Sequence, residues 1–194
     1  MLLGTPGDVI DGLTVDGRPV RSAVVNENAV RAAAGITMAV GTVAFAYAYF
    51  EHRWLPLKIV STFFLVEFLM RITVGFKYSP VGIVSGWLTK RQPVDWVSYK
   101  PKRFAWTLGA TMAGIVTGIT NSNIHGWWPR SFCLVCLVLM WMESVLGLCL
   151  GCEIHGFLVR HGWTTKDEAF EICANGVCAV VPREPVAGVA AANA

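Results

Sequence analysis

The chain has 194 residues, 54% of them hydrophobic and only 15% charged, with a formal net charge of +3. A soluble globular chain carries about 25% charged residues, so this one, with a mean hydropathy of +0.52, cannot cover a water-facing surface. Disorder is excluded and a cytosolic enzyme disfavoured. The basic residues sit in clusters between apolar runs, which excludes nucleic acid as the expected partner. The lipid bilayer is the expected partner, and eight Trp and ten Phe fit it better than a soluble core.

In chain order, residues 1–20 contain Asp8, Asp11 and Asp16 and no basic region leading into an apolar core, so no cleavable signal peptide is expected. Asp11-Gly12 and Asp16-Gly17 predict a small hairpin over residues 9–20. Four apolar runs follow, over 32–50, 59–76, 104–120 and 131–152. Each approaches the roughly 20 helical residues that cross ~30 Å of hydrocarbon. None alternates with period 2, so helices rather than barrel strands must satisfy the backbone in lipid. Between the second and third runs, Ser79-Pro80 opens a stretch with Ile83, Val84, Trp87 and Leu88, then Lys90 and Arg91, ending near Pro93. It predicts a short interfacial helix.

The expected fold is therefore an all-α integral membrane protein with four transmembrane helices, at about 29–50, 57–77, 103–120 and 131–152. They form a domain over 28–155, framed by a cytoplasmic segment over 1–27 and a cytoplasmic tail over 156–194 with a disordered end. Arg18, Arg21 and Arg31 precede the helices. Lys77, Lys90, Arg91, Lys100, Lys102 and Arg103 join the second to the third, and Arg160, Lys166 and Arg183 follow the fourth. Against these twelve, the other side has three, Arg53, Lys58 and Arg130. Positive-inside bias predicts both termini in the cytoplasm.

Six cysteines fall into three pairs: Cys133 and Cys136, Cys149 and Cys152, Cys173 and Cys178. Thiol or metal chemistry competes here with simple packing of cysteine as a small hydrophobe. Cys133 and Cys136 are expected at the outer mouth of the fourth helix, where the helix N-terminus and Arg130 favour a thiolate and make Cys133 the better nucleophile. Cys149 and Cys152 are expected at the other end of that helix, where its dipole disfavours a thiolate. Thirteen residues, or about 20 Å of helix, separate Cys136 from Cys149. If the helix stays regular through Gly147, the two pairs also face opposite ways.

The inner cysteines have two readings. C-x2-C-x20-C-x4-C over Cys149, Cys152, Cys173 and Cys178 is close to four-cysteine zinc spacing, and zinc or an iron–sulfur cluster would be the cofactor. Glu153, His155 and His161 are possible supplementary ligands. Alternatively Cys173 and Cys178 form an exchanging arm that passes electrons or sulfur to Cys149 and Cys152. Inside the membrane, Glu67 and Arg71 are spaced to pair on one helix face, with Glu143 at similar depth. Two acids and one Arg leave a negative charge over, which points to a protonated Glu. The cluster serves either as a bolt between the second and fourth helices or as a proton- or anion-linked site. His52 and His125 are expected at the surface.

The segment Val25-Asn26-Glu27-Asn28-Ala29-Val30-Arg31, Ser79-Pro80, and Glu143 through Leu148-Cys149-Leu150-Gly151-Cys152-Glu153 resemble an uncharacterised bacterial four-helix membrane family, domain of unknown function 4395. The resemblance covers about residues 25–160. It implies residence in the bacterial inner membrane, thiol or sulfur-transfer work, and thioredoxin-like or sulfurtransferase partners. Cys133, Cys136, Cys173 and Cys178 depart from the family pattern. The leading expectation is thiol redox or sulfane-sulfur handling at the cytoplasmic face, through Cys149 and Cys152 with Cys173 and Cys178. The second is a membrane subunit or scaffold, in an oligomer or larger complex, with a structural metal. The third is a small-solute or proton-linked transporter using Glu67, Arg71 and Glu143.

Overall fold

Asn26 ends one element and starts another. Its side chain accepts a hydrogen bond from the Asn28 backbone N–H at 3.1 Å, so it caps a helix N-terminus whose first amide groups have no partner of their own. In this computed structural model, residues 9–10, 13–15, 18–19, 22–124, 126–164 and 181–182 are described. Strands β1 (Leu13–Val15) and β2 (Arg18–Pro19) make the expected hairpin, and β5 (Val181–Pro182) pairs antiparallel along the other edge of β1. Strand β3 (Val24–Asn26) leads into helix α1 (Glu27–Phe50). Helices α2 (Leu55–Thr73) and α3 (Pro80–Thr89) follow, then β4 (Trp96–Ser98), α4 (Tyr99–Asn121), α5 (Trp127–Trp141) and α6 (Leu150–Arg160).

The side chains are distributed inside out relative to a water-soluble bundle. Helix α1 buries mostly alanines, Ala29, Ala33, Ala34, Ala44 and Ala48. Small residues at these spacings let helix backbones approach closely. Helix α2 buries Glu67 and Arg71 and turns Ile59, Phe63, Val66 and Leu69 outward. Helix α5 exposes Leu134, Val135, Val138 and Trp141. Among the described residues two stretches, Glu27–Phe50 and Trp127–Leu146, are long and apolar enough to cross a membrane.

Two junctions set the bundle's geometry. Strand β3 pairs antiparallel with β4, Val25 opposite Val97, and the Glu27 N–H donates to the Asp95 carbonyl at 2.7 Å. The starts of α1 and α4 are thereby tied together. At the end of α2, the Tyr99 hydroxyl donates to the Arg71 carbonyl at 2.7 Å, and Trp106 stacks on Phe76 with ring centroids 5.5 Å apart. Between them, Ser79 caps α3, accepting from the Gly82 N–H at 3.1 Å. Helix α3 forms where the sequence predicts it. It buries Val81, Gly82, Ser85 and Thr89 and leaves Ile83, Val84, Trp87 and Leu88 outside.

The run over 131–152 is not one helix. Helix α5 passes into a π-helical turn, Met142–Leu146, and Gly147 then takes a left-handed conformation with φ 69°. This is where glycine is needed, because a Cβ penalises that region. Cys149 is extended, and α6 begins at Leu150. Arg31 of α1 reaches across to the break. Its Nη2 donates to the carbonyls of Ser144 and Val145, both at 3.3 Å, satisfying acceptors that the interrupted helix leaves without partners.

Candidate functional site

The break reverses the expected setting of the inner cysteines. Cys149 is the N-cap residue of α6, with φ −90° and ψ 95°, and Cys152 lies in its first turn. Their Sγ atoms are 2.6 Å apart and share a hydrogen bond. The sequence reading placed this pair at a helix C-terminus, where the dipole opposes a thiolate. At an N-terminus the unpaired amide groups and the dipole favour one. Both residues are buried, Cys149 at 8% exposure and Cys152 at 3%.

Gly151 holds α6 against α4. A Cβ at that position would lie 2.5 Å from the Ala105 Cβ and 2.6 Å from its Cα, so only glycine permits this approach. The contact lays the first turn of α6 beside the first turns of α4, where Lys102 is buried. The Lys102 ammonium sits 2.8 Å from Glu143 Oε1 and 2.8 Å from Glu27 Oε2. One cation thus joins the start of α1, the start of α4 and the π turn. The β3–β4 pairing brings the first two together, and Arg31 fastens the third.

The field at this site is mixed. Lys102 is buried between two carboxylates, so its charge is balanced by ion pairing rather than by water. The hydrogen bond shared with Cys152 and then burial push the Cys149 thiol up, while Lys102 pulls it down. Cys149 therefore rests as a thiol, with a positive charge nearby. Such an arrangement suits transient formation of one thiolate rather than a permanent one.

Lys102 and Glu27 were missed as site residues by sequence reasoning. Lys102 counted only towards orientation, and its partners are 75 and 41 positions away. The expected cluster of Glu67, Arg71 and Glu143 divides into two sites. Arg71 pairs with Glu67 at 2.9 Å, both almost fully buried. The Val81 N–H at the start of α3 adds a 3.4 Å contact to Glu67, and Arg71 lies over the rings of Phe68 and Phe76. Glu143 belongs to Lys102, which supplies the countercharge missing from the sequence arithmetic.

The outer pair is differently placed from expectation. Cys133 packs with Ala44, Ala48, Leu57 and Val116 as part of an apolar cluster, the environment of an inert thiol rather than a nucleophile. Arg130 does not serve it. Its guanidinium contacts His52 Nδ1 at 3.1 Å and lies over the rings of Tyr49 and Trp54. His52 is exposed, with a positive φ of 53°. Cys136 is half-buried. Cys173, Cys178 and His125 lie outside the described residues. Among the described residues no group of three or more His, Cys, Asp or Glu could hold a metal ion. His155 is buried beside the Phe104 ring, and His161 is exposed.

A half-open cavity of about 640 Å³ lies between the helices, and Cys133, Cys136, Glu143 and Cys149 all line it. The objection that the two pairs face opposite ways assumed a regular helix through Gly147. With the helix broken there, members of both pairs reach the same space.

Residues 25–160 match the family model described as Domain of unknown function (DUF4395). The chain belongs to this family. Neither a curated protein nor a solved structure matches the chain. The DUF4395 region runs from β3 to the last residue of α6. It therefore contains both junctions, the helix break and the dithiol, while the β1–β2 hairpin and Cys173 and Cys178 lie beyond it. Its segments 25–31 and 143–153, remote in sequence, meet through Glu27, Lys102 and Glu143 and through Arg31 at the break.

Proposed function

We propose that this DUF4395 protein is a four-span protein of the bacterial inner membrane, both termini cytoplasmic, that carries out dithiol–disulfide chemistry with Cys149 and Cys152. The spans are α1, α2, α4 and α5 with its π turn, and α3 lies at the interface. The inside-out distribution of side chains supports this reading, since Glu67, Arg71, Lys102 and Glu143 are buried while Leu, Val and Phe face outward. Ionisable groups in a membrane domain turn inward and pair.

The observation that carries the chemistry is the 2.6 Å sulfur–sulfur approach at the start of α6, beside Lys102. One sulfur, as thiolate, attacks an incoming disulfide and expels a thiolate, which takes up the proton released by the first cysteine. The second sulfur then attacks the mixed disulfide, expels the other thiol and closes the Cys149–Cys152 bond. Two electrons and two protons leave the protein, and one disulfide becomes two thiols. An adjacent second sulfur favours this redox cycle over stable storage of sulfane sulfur, because it resolves any adduct on the first. With so little of either sulfur exposed, the fitting reactants are small thiols and disulfides.

The test uses purified full-length protein, reduced with dithiothreitol and then exposed to glutathione disulfide. Peptide mass mapping should find the Cys149–Cys152 bond, reversible with reductant. Cys152→Ser should retain a glutathione adduct on Cys149. Failure to form either product would leave the pair a packing feature.

A further inference from the structure

The cavity beside the dithiol is mostly hydrocarbon in lining. Leu108, Met112 and Val116 of α4 face Val135 and Leu139 of α5 across it. Its volume of about 640 Å³ lies within the few hundred to a thousand Å³ of small-molecule sites. Among the described residues Glu143 is the one charged side chain on its wall, and it is held by Lys102. The cavity is therefore mostly apolar, with a carboxylate, Glu143, and one sulfur of the dithiol, Cys149, on its wall.

That lining selects an amphiphile with an apolar body and a compact polar head. The chemistry of the dithiol narrows it further. The dithiol gives up two electrons and two protons together, so the head must accept both. The apolar lining of the cavity favours a head carried on an apolar body. We propose that the cavity binds a lipophilic quinone, whose ring lies beside Glu143 and oxidises the Cys149–Cys152 dithiol. Two S–H bonds break and one S–S bond forms. Two O–H bonds form on the ring oxygens, and quinone leaves as quinol. This rests on the dithiol reading above and adds the electron acceptor to it.

The experiment uses the full-length chain in nanodiscs of phosphatidylethanolamine and phosphatidylglycerol, reduced and kept free of oxygen. The probe is decylubiquinone, whose fully substituted ring leaves no open carbon for thiol addition. Quinone absorbance should fall as the Cys149–Cys152 bond appears, and the rate should saturate with quinone. Met112→Trp and Leu108→Trp fill the cavity from α4. Occupying the space should slow the quinone reaction by about tenfold or more, a loss of about 1.4 kcal/mol or more, while glutathione disulfide still closes the bond. A double variant, Cys149→Ser with Cys152→Ser, gives a readout free of redox chemistry and of cavity mutations. Decylubiquinone should raise its melting temperature saturably.

Three results would overturn the proposal. The quinone rate could stay linear in quinone and be unaffected by both tryptophans, the double variant could show no melting shift, or glutathione disulfide could close the bond while quinone does not. The last leaves the dithiol reading standing. If neither oxidant closes the bond, the dithiol reading falls and this inference falls with it.

Discussion

Gly151 and Ala105 meet so closely that the contact between α6 and α4 admits no side chain on the glycine. The position of the dithiol depends on that contact. Gly151→Ala should force the helices apart and cost about 1–3 kcal/mol, as overpacking does. A thermal melt in detergent measures the cost. Alkylation of Cys149 and Cys152 should become faster, because the separation uncovers them. A variant with unchanged melt and unchanged labelling would show that α6 does not depend on this contact.

Lys102→Met should be severe. It leaves Glu143 and Glu27 buried without a cation, and breaking such a set typically costs about 3–5 kcal/mol. Lys102→Arg should recover part of the stability because the charge is retained. Melting temperature in detergent is the readout, and a Lys102→Met variant that melts like the parent would show that the two carboxylates do not depend on this cation.

Arg71→Leu and Glu67→Gln test the separate pair on α2. Arg71→Leu should lose about 3–5 kcal/mol, because it strands a buried carboxylate. Glu67→Gln removes the counter-ion of Arg71 and should act in the same direction. Purified yield and melting temperature are the readouts. Two variants that behave normally would mean that these groups reach water.

The double variant Cys133→Ala, Cys136→Ala should keep the glutathione-driven cycle of the inner pair. Its loss of stability should be small beside that of Lys102→Met, because Cys133 is packing as an apolar side chain. A lost cycle would return the outer pair to the mechanism.

Orientation is checked by placing single cysteines at Asn123 and at Arg160 in a background with its own cysteines removed. An impermeant maleimide outside intact spheroplasts should label the first and spare the second. The reverse pattern would invert the assigned topology.

Much of the helical framework was legible in the sequence because apolar runs and turn signals are local. Ser79-Pro80 announces α3, and Asp-Gly pairs announce the hairpin. The break at Gly147 was not legible. Leu146, Leu148 and Leu150 carry the apolar run straight across it, and the hydropathy of a continuous helix and of an interrupted one is the same. The glycines at 147 and 151 were the available signal, one for a left-handed turn and one for a close approach. Glu67 and Arg71 were found because one helical turn separates them. The partnership of Lys102 with Glu27 and Glu143 is made by tertiary packing, which no periodicity encodes.

The residues around the dithiol come from early, middle and late parts of the chain: Glu27 and Arg31, then Lys102, then Glu143 to Cys152. A chain emerging from the ribosome makes them in that order. The cysteines are the last of the set to arrive, and the turn just before them is fastened by an arginine made more than a hundred residues earlier. Until α6 docks, neither the capped helix end nor the lysine acts on the sulfurs. The pair therefore gains its electrostatic setting at the final step of assembly, and an unfinished chain exposes two ordinary thiols.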